Sequence, residues 1–246
     1  MSEAKYKNVK IMWSPSRGLS TATMYSFSQR KDTKVLDEPF HGWFFKTHPG
    51  LKRRLFDEVI AAMDCDIDSV IENLEKEGDS GKVILAKHIG NQTEGLDLEK
   101  LKQFEHFILI RHPAQVAISF DKTVMQNPEP WDLSFPFLDG ILSKLIEWGR
   151  KPIVINAEDI LQNPPEALEK LCNALEIPYD DAMLTWSSGA RPEDGLWGSY
   201  CYSNIHNSSG FVQRDKVTEL KVPPHLEKVV DECLPIYNKI NAFAIQ

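Results

Sequence analysis

Residues 11–24 read I-M-W-S-P-S-R-G-L-S-T-A-T-M, and this stretch decides the fold. An apolar, β-prone run ends at Trp13, Pro15 to Leu19 make a turn, and Ser20-Thr21 open a helix. A buried strand that enters a helix through a short turn is the opening unit of an α/β protein. Such a turn aims unpaired backbone N–H groups and the positive end of the helix at one point. Ser20 and Thr21 add hydroxyl donors, and the planar fork of Arg17 suits phosphate or sulfate oxygens. With Gly18 and Leu19 completing the turn, the segment offers a seat for an anion; the alternative is an ordinary strand-to-helix turn with a helix cap. The pattern G-x-x-x-x-G-K-[ST] is absent, which disfavours ATP hydrolysis and kinase chemistry.

Outward from this unit, short β-rich runs alternate with longer helical patterns, the signature of a mostly parallel sheet flanked by helices. Strands are expected at Val9–Trp13, Thr33–Leu36, Lys82–Lys87, His106–Ile110 and Pro152–Ile155. Helices are expected at Ser20–Arg30, Leu51–Met63, Ile67–Glu77, Pro113–Lys122, Leu138–Arg150, Pro164–Leu175 and His225–Ile240. Pro113 and the Pro164-Pro165 pair fall where a first helical turn tolerates proline. Thr123–Pro136 reads as a loop over the sheet, and Trp186–Val212 as an irregular lid or binding loop. No repeat or linker divides the chain, so residues 1–246 are expected to form one domain.

Composition narrows the partners. The 246 residues are 42% hydrophobic, enough for a sizeable core. The formal net charge of −8 argues against nucleic acid and against a polyanionic substrate, since both favour a basic surface. A neutral or cationic acceptor suits that field better. No run approaches the length of a membrane span, and the polar start lacks the apolar segment of a signal peptide, so a cytoplasmic protein is expected. Cys65, Cys172, Cys201 and Cys233 are scattered and read as free thiols, and the histidines show no zinc-type spacing.

A second strand-to-helix unit, F-I-L-I-R-H-P-A-Q-V-A-I-S-F, spans residues 107–120. Arg111 ends the strand, and Ser119 lies two turns into the helix, facing back toward the loop. Together the two units resemble the cytosolic and bacterial sulfotransferases, whose fold is that of the P-loop nucleoside-triphosphate enzymes. S-R-G-L-S-T (16–21) is similar to the family's 5′-phosphosulfate loop, and R-H-P-A-Q-V-A-I-S (111–119) to its R-x-P-x-x-x-x-x-S segment for the 3′-phosphate. Residues 155–178 resemble its late strand, E-D-L turn and helix. Met12–Ala22 followed by Asp37-Glu38-Pro39 resembles a microbial and plant branch with M-W-S-x-P-R-x-x-S-T-A and D-E-P. The resemblance implies the donor 3′-phosphoadenosine 5′-phosphosulfate (PAPS), the product 3′-phosphoadenosine 5′-phosphate (PAP), no metal, and a small-molecule acceptor.

Departures from the pattern leave gaps. Gly18-Leu19 replace the usual Ser-Gly pair, and Ala22 stands where many members carry an adenine-stacking tryptophan, so another aromatic must pack the base. The family's late R-K-G segment is not evident; residues 207–211, with Ser209 and Gly210, are the candidate phosphate turn, unless they are a plain surface turn.

Sulfuryl transfer needs a base for the acceptor's proton, an in-line approach and cations at the leaving phosphate. By resemblance, the base is His88, in L-A-K-H-I-G-N, or Glu38, in D-E-P-F, with His88 slightly favoured. Asp37 would orient the acceptor and Lys87 neutralise the moving sulfonate, unless Asp37-Glu38 merely caps a turn, Lys87 is solvated and His88 is a satisfied histidine at a strand end. Trp43, Phe44 and Phe45, the Phe135–Phe137 segment, and Trp197, Tyr200 and Tyr202 are candidates for lining an apolar acceptor pocket, half of them more in keeping with ordinary core, and Asp37 and Glu38 make an amine or guanidine a candidate beside an alcohol or phenol. The rivals are a protein that binds 3′-phosphoadenosine nucleotides without catalysis and, further behind, a P-loop kinase.

Overall fold

A computed structural model describes residues 4–51, 53–213 and 220–245. Its centre is a sheet of five strands, β1 (Tyr6–Ser14), β2 (Thr33–Asp37), β3 (Val83–Ile89), β4 (Phe104–Ile110) and β5 (Ile153–Asn156), in the order β2-β3-β1-β4-β5. Every pairing is parallel, with Trp13 level with His88 and Ile108, Asp37 with Lys87, and Ile110 with Asn156. The helices are α1 (Ser20–Phe27), α2 (His41–Thr47), α3 (Phe56–Ala62), α4 (Ile67–Gly78), α5 (Pro113–Thr123) and α6 (Pro130–Leu133). They continue with α7 (Phe135–Glu147), α8 (Ala157–Gln162), α9 (Pro164–Ala174), α10 (Gly198–Cys201), α11 (Ser203–His206) and α12 (Pro224–Asn241). None of these is long and apolar enough to cross a membrane.

The two-residue period of the strands sorts the core. Val9, Ile11 and Trp13 with Ile84, Ala86, Ile108 and Ile110 face α4, α5, α7 and α12. Met12, Leu85, Phe107, Leu109 and Ile155 face α1, α8 and α9 on the other side. Burial on both faces is why these strands read as near-continuous apolar runs. A third cluster, Trp43, Phe44, Phe45, Val59, Trp197 and Tyr202, joins α2 and α3 to the late loop.

From β1 the chain passes through α1 to the β2 side of the sheet, and from β4 it passes to β5 on the other side. The crevice at the carboxyl ends of β1 and β4 is therefore a topological switch point, where open α/β sheets bind ligands. Both strand-ending loops named above open there.

The expected strands are all present, and the expected helices all appear with shifted ends. The third helix begins only at Phe56, behind Leu55 in the left-handed region at φ 60°. Four short helices, α2, α8, α10 and α11, were not expected, and α6 lies in the stretch read as a loop. Each is seven residues or shorter, too short to show a clear 3.6-residue period.

Candidate functional site

The first loop leaves β1 at Ser14 and enters α1 at Ser20. Two of its non-glycine residues take left-handed backbone, Arg17 at φ 64° and Leu19 at φ 79°. Gly18 between them packs so tightly on Pro15 that an added Cβ would lie 2.8 Å from the ring. Glu38, which follows β2, is also left-handed at φ 53°. Left-handed backbone costs a non-glycine residue about 1–2 kcal/mol, and all three of these residues line one cavity. Leu55, Asn127, Ser134 and Glu176 are left-handed too and lie off it, but three such residues at one opening are in keeping with a functional site.

That cavity measures about 1200 Å³. Its walls include Arg17, Gly18, Leu19, Ser20 and Thr21 from the first loop, and Arg111 and Ser119 from the second. The two loops touch: Arg111 Nη1 donates to the Arg17 carbonyl at 3.2 Å, and Arg17 Nε to Ser119 Oγ at 3.3 Å. The expected phosphate-holding residues are thus brought together at one opening. Glu158 Oε1 lies 3.7 Å from Arg111 Nε; burial, partly offset by Arg111, raises the Glu158 pKa. A second cavity of about 790 Å³, lined by His112, Glu158, Lys170 and Tyr237, receives neither the first loop nor Lys87. We therefore assign the site to the larger one.

A polar cluster forms the cavity's other side. The Lys87 ammonium, 1% exposed, donates to Glu38 Oε1 at 2.5 Å, Asp37 Oδ1 at 2.8 Å and the Tyr202 hydroxyl at 2.9 Å. Burial opposes its charge, but the two carboxylates outweigh it and hold the lysine pKa well above normal. Burial likewise opposes ionisation of Glu38, yet Lys87 and then His41 prevail, so Glu38 is a carboxylate with a depressed pKa. For Asp37 burial wins and the pKa is raised. One lysine between two carboxylates leaves little charge to attract a cation, so the expectation of a cationic acceptor held by Asp37 and Glu38 loses its basis. Among the described residues of the wall, Arg17, Arg53, Arg54, Lys87, Arg111 and Lys122 stand against Glu38 and Asp132. An acidic protein has a basic pocket.

Several expected site residues sit elsewhere. His88 is 0% exposed and does not line the cavity. Alternation along β3 sends Lys87 to one face of the sheet and His88 to the other, where Phe40 stacks on its ring at 4.0 Å and Trp13 lies at 5.1 Å. Burial pushes its pKa down to about 3. A base must reach its substrate, so the preference for His88 does not hold. Asp37 is likewise off the cavity; it accepts from Gly195 N at 2.9 Å and from Tyr202 Oη at 2.8 Å, tying the late loop to β2. Trp43 packs in the aromatic cluster, while its neighbours Phe44 and Phe45 line the cavity with Trp197 and Tyr202. Gly210 lines it as well; Ser209 does not, and spends its carbonyl on Trp186 N.

The residue sequence reasoning passed over is His41. Glu38, Pro39, Phe40 and His41 make a tight turn closed by His41 N donating to Glu38 O at 2.9 Å, with proline where such turns favour it. The turn brings His41 Nδ1 within 2.9 Å of Glu38 Oε2. The signal lay in the sequence: a histidine three residues after a carboxylate, with a proline between.

A family model described as a sulfotransferase domain matches residues 9–244. Two curated proteins of Arabidopsis thaliana, branched-chain-amino-acid aminotransferase-like proteins 2 and 1, are each 38% identical over 92% of this chain. The chain spans 40% of their length, and their names describe the longer proteins. Among solved structures, a sulfotransferase from Alicyclobacillus acidocaldarius aligns at TM-score 0.57 and 12% identity, covering 98% of this chain and 96% of its own. The sulfotransferase domain of the Synechococcus PCC 7002 olefin synthase aligns at 0.55 and 15%, covering 91% and 93%. These distant likenesses carry the fold. The family match over nearly the whole length carries the membership: this chain belongs to the sulfotransferase-domain family.

Proposed function

We propose that this sulfotransferase takes a sulfuryl group from PAPS and places it on a hydroxyl or amine nitrogen of a small molecule. The observation that carries the donor is the junction of the two loops, where Arg111 and Ser119 both bond Arg17. One molecule with phosphate groups at both ends spans them. The Arg17–Thr21 turn would hold the 5′-phosphosulfate with backbone N–H groups and a guanidinium, and Arg111 with Ser119 the 3′-phosphate. Ala22 leaves room beside the loop, and Phe211, which lines the cavity, is the aromatic we assign to the adenine. Gly210 beside it closes that end.

PAPS supplies an activated sulfuryl group whose transfer unloads negative charge onto the leaving phosphate. Arg17 and Lys87 would supply the positive charge there, and a preset cation in a buried site stabilises such charge far more than one in water. The acceptor end is lined by Phe44, Phe45, Trp131, Trp197 and Tyr200, which suits an apolar or aromatic body.

The test is calorimetry with PAP against ATP, both without metal. Binding of PAP and not ATP is expected. Preference for ATP would return the chain to the kinase reading, and PAP binding without sulfation across an acceptor panel would favour the non-catalytic one.

A further inference from the structure

His88 and His41 both lie against Gln92 beside the polar cluster, and of the two His41 opens to the cavity. His88 is sealed under Phe40, and His106 bonds Trp13 Nε1 and the Leu101 carbonyl deep in the core. His41 lines the cavity with its side chain 17% exposed. Its ring lies against Trp197 at 4.4 Å and 28°, and beside Phe45 at 4.3 Å. Two aromatic walls fix the imidazole plane, and the contact with Glu38 Oε2 fixes its rotation. Among the described residues, Nε2 has no hydrogen-bond partner.

Glu38 is poorly placed to take a proton itself. Oε1 is held by Lys87, and Oε2 receives Gln92 Nε2 at 2.6 Å as well as His41. The Gln92 amide is oriented in turn: its oxygen accepts from Ile89 N at 3.4 Å and lies 3.2 Å from His88 Nδ1. Gln92 Nε2 also lies 2.8 Å from His41 Nδ1, so Glu38 Oε2, Gln92 Nε2 and His41 Nδ1 form a closed triangle; with one amide proton on Oε2, the ionised carboxylate draws the imidazole proton to Nδ1 as its second donor. A carboxylate that fixes one ring nitrogen leaves the other as the basic one.

Resting on the sulfotransferase reading above, we propose that His41 is the general base for the acceptor, with Glu38 and Gln92 as positioning residues. His41 Nε2 takes the proton from the acceptor O–H or N–H as that atom forms its bond to sulfur. The bond from sulfur to the 5′-phosphate oxygen breaks, its electron pair stays on the phosphate, and PAP departs. Glu38 stabilises the imidazolium until water removes the proton. Lys87 from β3 holds the Glu38 charge in place and is itself bonded to Asp37 from β2 and Tyr202 from the late loop. His88 acts behind Gln92 and touches no substrate.

The first test does not depend on turnover. Long-range ¹H–¹⁵N spectra of histidine-labelled protein should place the neutral His41 proton on Nδ1, and Glu38→Gln should move the population toward Nε2–H. The second measures PAP formed from PAPS with a panel of phenols, alcohols, amines and water as acceptors. His41→Phe, which keeps the stacking, and His41→Ala should each lower turnover by about 10²- to 10⁴-fold without changing PAP affinity. Added imidazole should restore the alanine variant and not the phenylalanine one. A His41 proton resident on Nε2, or His41→Phe turning over at the wild-type rate, overturns the proposal. Wild-type protein that forms no PAP with any acceptor overturns the sulfotransferase reading instead, and the spectra still decide whether Glu38 orients His41.

Discussion

Replacing Lys87 with methionine isolates the electrostatics of the site. The ammonium lies 2.5 Å from Glu38 and 2.8 Å from Asp37, with all three side chains almost wholly buried. Methionine fills a similar volume and leaves two carboxylates facing each other without a counter-charge. Removing one partner of a buried ion pair costs about 3–5 kcal/mol, which in a chain of this size lowers the melting temperature by roughly 10 °C. In the wild type, Glu38 has a folded pKa below its unfolded value, so its contribution is present above about pH 4.3 and fades as pH falls through the folded pKa. In the variant both carboxylates gain raised pKa values, so the penalty is greatest at neutral pH and shrinks as they take up protons. Urea unfolding of both proteins at pH 7.5 and 5 measures the difference. The gap should narrow at the lower pH, and adding Asp37→Asn and Glu38→Gln should recover most of the loss. A loss under about 1 kcal/mol, the range of an exposed pair, or one equal at both pH values, refutes the reasoning.

Arg17→Gly removes a guanidinium from a left-handed position that glycine accepts freely, so stability should hold while PAP affinity falls by about 10- to 100-fold, the worth of a charge-assisted hydrogen bond; calorimetry and thermal melting read the two effects separately. Arg111→Ala should weaken PAP by a similar factor but leave 5′-AMP binding unchanged, and equal losses for both nucleotides would remove Arg111 from the 3′-phosphate. Phe211→Ala should cost PAP about 1–3 kcal/mol, the usual loss of a base–aromatic stack; unchanged affinity means the adenine lies elsewhere.

The loops were legible because each is built from short-range features that sequence displays: a β run, a turn residue, a helix start and an arginine. Their junction at the β1–β4 crevice followed from parallel topology. The base was misplaced for a reason equally physical. Lys87 and His88 are consecutive in a strand, so one face of the sheet cannot hold both, and the register that buries Trp13 and Ala86 also buries His88. His41 escaped notice because its role depends on Glu38 adopting φ 53°, which no propensity of glutamate suggests. Trp43 against Phe44 and Phe45 shows a related limit: composition marks an aromatic cluster, but only the turn of a seven-residue helix says which ring faces the ligand.

Asp37 fastens both Gly195 and Tyr202 to the sheet edge, and Gly195 cannot carry a side chain there, since a Cβ would meet the Trp197 ring at 2.2 Å. The segment between these anchors is thus a staple with fixed feet. Tyr200 and Cys201, which line the cavity between these anchors, can be substituted while the ends of the segment stay in register with the polar cluster. Such a wall can vary at its middle while both of its ends stay fixed to the sheet.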